Sequence, residues 1–328
     1  MEYTTLGATG LQVSQIGVGC MSFGSSDWRD WVLDEPESKA IIERAIDLGI
    51  NFFDTANIYS MGESERVLGS VLGEYDRDEQ VIATKTHPTW SPESYPPEDT
   101  GGLSRKAIEQ DLSRSLDRLG IDTIDLYQIH RWDYETPIET TLKAFDDAVR
   151  QNRVRSIGAS SMWAYQFAKA LHTSDRLGLE RFGTMQNHYN LLYREEEREM
   201  LPLTENENIG VIPWSPLARG QLTRPHSDID ATTRGETDEY TREQPYLAGN
   251  GREINERVQE LAAELDVSMA QVSLAWILQK DWVDAPIVGV TSVEHLEEAA
   301  EAVDLNLAHS DVEWLEEPYE PVPVAGHE

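Results

Sequence analysis

At 328 residues the chain exceeds a small domain and matches one barrel with insertions, for which about 250 residues is typical, so a single domain over 1–328 is expected. Its 39% hydrophobic content, with nine Trp and twelve Tyr, can bury a full core, and its longest apolar runs fall far short of the ~20 residues that cross a bilayer. Sixty acidic against 27 basic side chains give a net charge of −33 spread along the sequence, a surface that repels nucleic acid and anionic membranes and excludes both as expected partners.

Short apolar runs alternate with longer stretches of helical period, the mark of βα units and a parallel sheet. Ahead of the first unit, Tyr3 to Leu6 and Gln12 to Val13 flank Gly7 and Gly10, which predicts a hairpin plugging a barrel floor. Eight strands are then predicted, at 16–19, 51–54, 81–85, 124–130, 156–159, 184–187, 210–214 and 285–288. Helices follow them, as at 38–48, 64–72 and, after the seventh strand, 268–279. The fold class is therefore α/β, a (β/α)8 TIM barrel with an N-terminal β-hairpin and long loops on the C-terminal face. Three segments break the regular spacing. Residues 87–102, rich in Pro and acid, follow strand three, and 219–252 follow strand seven. A tail from Asn306, with Pro318, Pro321 and Pro323 and no apolar period, is expected to be peripheral. The first two segments lie at the C-terminal ends of the strands, where such barrels carry their sites, and should shape a pocket.

Four polar residues stand at or just beyond the ends of consecutive strands: Asp54 after the second, Tyr59 in the loop that follows, Lys85 ending the third and His130 ending the fourth. In a barrel these ends converge. Burying an unpaired Lys or Asp is expensive, so packing alone is a poor reason for their positions. Paired, Lys85 and Asp54 neutralise each other, and an ammonium beside Tyr59 stabilises its phenolate. Tyr59 can then serve as general acid, with His130 placing a substrate carbonyl or sharing its proton. Singly, a loop Tyr, a lone His and an Asp–Lys pair are each commonly structural; their conjunction at three successive strand ends points to function. A glycosidase carboxylate pair built on Asp54 leaves Lys85 and Tyr59 without a role.

The eight His show no ligand-like clustering and Cys20 is the only cysteine, so neither a metal site nor an internal disulfide is expected. With no basic stretch followed by an apolar one at the N-terminus, a reducing cytoplasm is the expected location. Only six of the basic residues are Lys against twenty-one Arg, and self-repulsion on this scale is tolerable where salt screens it; the composition reads as salt-adapted, or halophilic.

The stretch Asn51-Phe52-Phe53-Asp54-Thr55-Ala56-Asn57-Ile58-Tyr59, followed by Gly62-Glu63-Ser64-Glu65, resembles the aldo-keto reductase pattern of a strand-end Asp and a Tyr before Gly-x-Ser-Glu. Lys85 in Ile82-Ala83-Thr84-Lys85 and His130 in Gln128-Ile129-His130-Arg131-Trp132 resemble the family's catalytic Lys and His. The resemblance runs from Leu6-Gly7 to about Leu305. It implies a tetrad of Asp54, Tyr59, Lys85 and His130 in an NAD(P)H-dependent oxidoreductase that reduces aldehydes and ketones to alcohols, with Tyr59 as the proton donor.

The resemblance also implies where a nicotinamide cofactor sits. Ser160 and Gln186 match the pair that bonds its carboxamide, with Ser161 standing where relatives often carry Asn. Trp214 in Pro213-Trp214-Ser215-Pro216-Leu217 resembles the aromatic that stacks on the nicotinamide, plain core packing being the other reading. Ser215 and Leu217 would meet the pyrophosphate, and Met21, Asp54, Gly220 and Gly289 are further implied contacts. Family members often place Lys or Arg after strand eight, against the 2′-phosphate of NADPH; here stand Thr291, Ser292 and His295. Thr291 and Glu298 match a branch resembling the potassium-channel β-subunits, in which the strand-seven insertion supplies the basic residues, while His295 and Ala299 replace that branch's Gln and Asn. Arg219 or Arg224 would supply the charge, and a helix start at Ser292 offers N–H groups to an anion. NADP is the expected cofactor, with NAD compatible.

A small carbonyl substrate would enter past Met21 and Phe23, with Trp28, Trp31, Trp90 and Trp132 in the surrounding loops; Phe23, Trp90 and Trp132 are the expected substrate contacts. Such a lining suits apolar or planar aldehydes and ketones over charged sugars. Trp28 and Trp31 read equally well as loop anchors. The alternative reading is a cofactor-bound regulatory or partner protein with little turnover, as in the channel β-subunits, but those relatives have Asn where this chain has His130. No sequence pattern bears on oligomeric state.

Overall fold

In the computed structural model, which describes residues 1–87 and 102–327, Gly7 at φ 44° and Gly10 at φ 76° turn β1 (Tyr3–Thr5) back onto β2 (Gln12–Ser14), with Thr4 opposite Val13. A Cβ at residue 7 would fall 2.2 Å from the amide nitrogen of Gly210, so glycine serves both the turn and the close approach of the hairpin to the barrel. The hairpin drives Leu6 and Val13, both fully buried, into one cluster with Phe52, Leu126, Ile212 and Ala285. The barrel floor is plugged, as the sequence suggests.

Eight parallel strands follow: β3 (Gly17–Gly19), β4 (Phe52–Asp54), β5 (Val81–Thr86), β6 (Ile124–Ile129), β7 (Val154–Ser160), β8 (Thr184–Gln186), β9 (Gly210–Val211) and β10 (Ile287–Gly289). They pair in the order β10-β3-β4-β5-β6-β7-β8-β9. Asp284 N–H donates to the Val211 carbonyl at 3.0 Å and Ile287 N–H to that of Pro213 at 2.9 Å, joining the two ends of the sheet. The protein is a (β/α)8 barrel. All eight predicted strands are present, their ends displaced by at most three residues. Strand seven narrows to two regular residues, though Trp214 N–H still donates to the Asn187 carbonyl at 2.8 Å.

The outer helices begin where local chemistry starts them. The predicted start at Ser38 is three residues late, because α1 (Glu35–Asp47) opens on a capping box: Asp34 accepts from Glu37 N–H at 3.0 Å and Glu37 from Asp34 N–H at 3.2 Å, with Pro36 in the first turn. Helices α2 (Glu63–Leu72), α3 (Arg105–Leu119), α4 (Ile138–Arg150), α5 (Ala164–Leu177) and α6 (Met200–Glu207) continue the ring. The strand-seven insertion forms short α7 (Thr233–Thr237) and α8 (Glu239–Glu243) before α9 (Gly251–Leu265), α10 (Met269–Leu278) and α11 (Val293–Glu301).

The tail is not peripheral. It holds α12 (His309–Glu316), whose Leu315 is fully buried. Beyond it, Tyr319 accepts from Arg194 N–H at 2.8 Å and donates to Glu195 at 2.9 Å, and His327 Nε2 lies 3.0 Å from Glu196. Glu195 and Glu196 are themselves buried and need such partners, a long-range demand that leaves no apolar period in the tail. Among the described residues no single helix is long and apolar enough to cross a membrane.

The floor cluster should dominate stability at this end of the barrel, since Phe52 is fully buried within it. Phe52→Ala is expected to cost about 3–5 kcal/mol in urea unfolding at constant KCl, and a loss under about 1 kcal/mol would show the floor to be loosely packed.

Candidate active site

The parallel register that sets Asp54 opposite Ala83 leaves Lys85 two residues farther along β5, at the same end of the barrel. Its ammonium contacts Asp54 Oδ1 directly and donates to the Thr55 carbonyl at 2.9 Å. The other carboxylate oxygen accepts from Gln128 Nε2 at 3.1 Å and Gln186 Nε2 at 2.9 Å. Four strands, β4, β5, β6 and β8, therefore meet on one buried carboxylate. Burial by itself would lower the Lys85 pKa, but the Asp54 carboxylate, reinforced by the Tyr59 hydroxyl, holds it above its ordinary value. Lys85 is a fixed cation.

After β4 the chain takes a left-handed path through Ser60 (φ 46°), Met61 (φ 59°) and Gly62 (φ 90°), two of them strained as non-glycine residues, and this path presents Tyr59 half-buried to the barrel mouth. Lys85 Nζ lies 5.1 Å from the Tyr59 ring centroid, and the His130 ring stands edge-on to it at 5.7 Å. Burial, then the charges of Arg131, His87 and Lys85, push the His130 pKa well below its ordinary value, so its imidazole is neutral at physiological pH. The Tyr59 loop is tied down from behind: Asn57 Nδ2 donates to Asp111 at 3.0 Å, and Thr86 Oγ1 to the same oxygen at 2.7 Å.

Asp54, Tyr59 and His130 open onto a cavity of about 960 Å³, with Lys85 fully buried behind them. The same cavity is lined by Met21, Ser160, Gln186, Trp214, Ser215, Leu217, Gly220, Arg224, Gly289, Thr291, His295 and Glu298. The residues expected to hold a cofactor thus share one continuous wall with three of the four expected to perform chemistry.

A profile described as the Aldo/keto reductase family matches residues 15–320. The chain is 41% identical to an aldo-keto reductase of Alternaria alternata over 99% of its own length and 93% of that protein's. It is 40% identical to an aldo-keto reductase of Metarhizium robertsii (100% and 93% covered), and 41% identical to the versiconal hemiacetal acetate reductase of Aspergillus parasiticus (100% and 99% covered). The chain belongs to the aldo/keto reductase family. It is accordingly an oxidoreductase of carbonyl compounds.

Within this aldo/keto reductase, Trp214 both packs inward and borders the cavity. One face stacks on buried His188 at 4.1 Å and 11°, and His188 stacks in turn on Tyr193, while Trp214 also lines the cavity. Ser161, in the place where relatives often have Asn, accepts from the Trp214 indole N–H at 2.8 Å, and Ser160 Oγ donates to the Gln186 carbonyl at 2.9 Å. The helix start after strand eight is confirmed: Ser292 caps α11, accepting from His295 N–H at 3.3 Å.

The substrate mouth needs correction. Phe23 is fully buried in the core, because the chain folds back after it and pairs Phe23 with Leu33. Trp132 packs part-buried against the core and is not among the lining residues; Trp90 lies outside the described residues. Trp28 and Trp31 line the cavity instead, with Trp28 6.4 Å from the Tyr59 ring.

A second set of residues, of which only Arg219 stood out in the sequence, gathers around Asp238. Asp238, its side chain fully buried, binds Arg219 and Arg234, each through Nε at 3.1 Å, and lies 3.7 Å from Arg29. Burial, then the charge of Arg219, lowers the Arg234 pKa to about 10, which still leaves it protonated at neutral pH. The cluster ties the strand-one loop to the strand-seven insertion across the cavity, and all three arginines line it. Arg29, set between Trp28 and Trp31 in the sequence, lies over both rings.

Burial raises Asp111 from 3.8 to about 6, against the lowering effect of its Thr86 hydrogen bond. Folding therefore favours its protonated form, and that stabilisation, present below pH 3.8, is lost as pH rises through about 6. The stability advantage of Asp111→Asn over the parent chain should grow by on the order of 2–3 kcal/mol between about pH 4 and pH 7 in denaturant titrations. An advantage that does not change with pH would contradict the assignment.

Proposed function

We propose that this protein reduces aldehydes or ketones to alcohols with a nicotinamide dinucleotide, NADPH in preference to NADH, and that Tyr59 donates the proton. The observation that carries this reading is the buried Asp54–Lys85 pair set beneath Tyr59, behind the wall of a cavity that also gathers the guanidiniums of Arg29, Arg219, Arg224 and Arg234. The residues present fit such a cofactor. Three guanidiniums share the Asp238 carboxylate, and Arg224, which also lines the cavity, has no carboxylate within ion-pair distance among the described residues. That surplus of positive charge suits a pyrophosphate and a 2′-phosphate, since Arg forks bind phosphate bidentately. Ser160 and Gln186, at the ends of β7 and β8 and both lining the cavity, would hold the carboxamide, and Trp214, also lining it, would stack against the nicotinamide ring.

When bound, a reduced nicotinamide supplies the hydride that adds to the carbonyl carbon. Tyr59 transfers its hydroxyl proton to the carbonyl oxygen, and the Lys85 ammonium stabilises the phenolate left behind. Neutral His130 can donate a hydrogen bond to the same oxygen without adding charge. Solvent restores the Tyr59 proton, so one hydride and one proton convert carbonyl to alcohol.

Steady-state kinetics against a panel of small aldehydes, run in molar KCl to screen the net charge of −33, tests this. Tyr59→Phe should lower kcat by about 10²–10⁴ while NADPH still binds. Arg224→Ala should raise KM for NADPH much more than for NADH. Undiminished turnover in Tyr59→Phe would remove the assignment of the proton donor, and equal effects on both cofactors would remove the 2′-phosphate role.

A further inference from the structure

With 60 acids against 27 basic residues, a cation on this chain has carboxylates in excess to pair with. Most of its arginines do so within 4.0 Å: Arg77 with Asp125, Arg118 with Glu65 and Arg194 with Glu197 are examples. Arg131 does not. It follows His130 directly at the end of strand β6, lines the cavity, and has no carboxylate within that distance among the described residues.

Its guanidinium is nonetheless held in place. Nη1 donates to the His130 carbonyl at 2.7 Å, and the guanidinium carbon lies 5.9 Å from the Trp214 ring centroid. The acid nearest in sequence, Asp133, is occupied elsewhere: it accepts from Leu103 N–H at 2.7 Å and Glu135 N–H at 2.8 Å. Asp54, in the same cavity, already neutralises Lys85. A part-buried, positioned positive charge with no carboxylate partner among the described residues therefore stands beside His130, in the cavity that Tyr59 also lines. Trp28, Trp31 and Trp214 line the same cavity and give it aromatic walls.

We propose that Arg131 anchors an anionic group on the substrate, which is a planar aldehyde or ketone bearing a carboxylate. The carbonyl lies at Tyr59 and His130 and the carboxylate on the Arg131 fork. This rests on the reading of Tyr59 and His130 as the carbonyl end. A guanidinium meets a carboxylate bidentately, and within a cavity the pair is screened far less by salt than it would be on the surface. Arg131 thus sets specificity, whereas the cations of Arg224 and the Asp238 cluster serve the cofactor.

The test compares kcat/KM for 4-carboxybenzaldehyde with that for its neutral methyl ester, at saturating NADPH, in the parent chain and in Arg131→Gln and Arg131→Lys. The parent chain should prefer the carboxylate by about tenfold or more; Arg131→Gln should bring the ratio to about one and Arg131→Lys should retain part of it. A ratio near one in the parent chain, or a preference that Arg131→Gln leaves in place, overturns the proposal. Failure of the parent chain to reduce either aldehyde would instead overturn the reductase reading. The anion site is then judged by itself, through quenching of tryptophan fluorescence by 4-(hydroxymethyl)benzoate. Arg131→Gln should weaken that binding about tenfold, and unchanged binding overturns the site.

Discussion

The arrangement of the site depends on one buried ion pair, Lys85 with Asp54, onto which the side chains of Gln128 and Gln186 also converge. An unpaired ammonium could not be held at this depth, because the desolvation of a single charge costs several kcal/mol. Nor does the pair earn its place through stability, since well-packed apolar substitutes are often as good or better. What it provides is a cation that stays charged, fixed by four strands and set 5.1 Å from the centre of the Tyr59 ring. The left-handed turn at Ser60 to Gly62 makes sense in that light. Its strain is tolerated because it delivers Tyr59 to a place where the charge is already waiting.

Charge is then divided along the cavity. The Arg29, Arg219 and Arg234 guanidiniums gather on Asp238 where the strand-one and strand-seven loops meet, and Arg131 stands beside His130 with no carboxylate partner among the described residues. Outside, the molecule carries a net charge of −33, which opposes the approach of an anionic cofactor or substrate unless salt screens it. The cationic interior and the acidic exterior therefore make opposite demands. High salt relaxes the second more than the first, whose charges are part-buried within the cavity.

The barrel was legible because each strand is a short apolar run whose neighbours follow a helical period. Asp54, Lys85 and His130 stood out for a related reason: a charged or polar residue closing an apolar run conflicts with packing, and the structure brings the three together at one end of the barrel. Phe23 misled because an aromatic just past a strand looks the same whether it faces a cavity or the core; only the fold-back that pairs it with Leu33 decides. Asp238 was missed although Arg234 stands four residues before it, because no pattern marks either as buried and Arg29, which joins them, lies more than two hundred residues away. The same holds for the tail, whose order comes from buried Glu195 and Glu196 and not from a pattern of its own.

The central claim, that Asp54 is present to keep a charged Lys85 beneath Tyr59, is tested most directly by an unfolding cycle on Asp54→Asn, Lys85→Met and the double variant, with turnover measured alongside. Each single change should cost about 3–5 kcal/mol by stranding a buried partner. The double variant should recover about 2 kcal/mol or more relative to the sum of the two and yet remain inactive. Additive losses, or a double variant that still turns over substrate, would contradict the account.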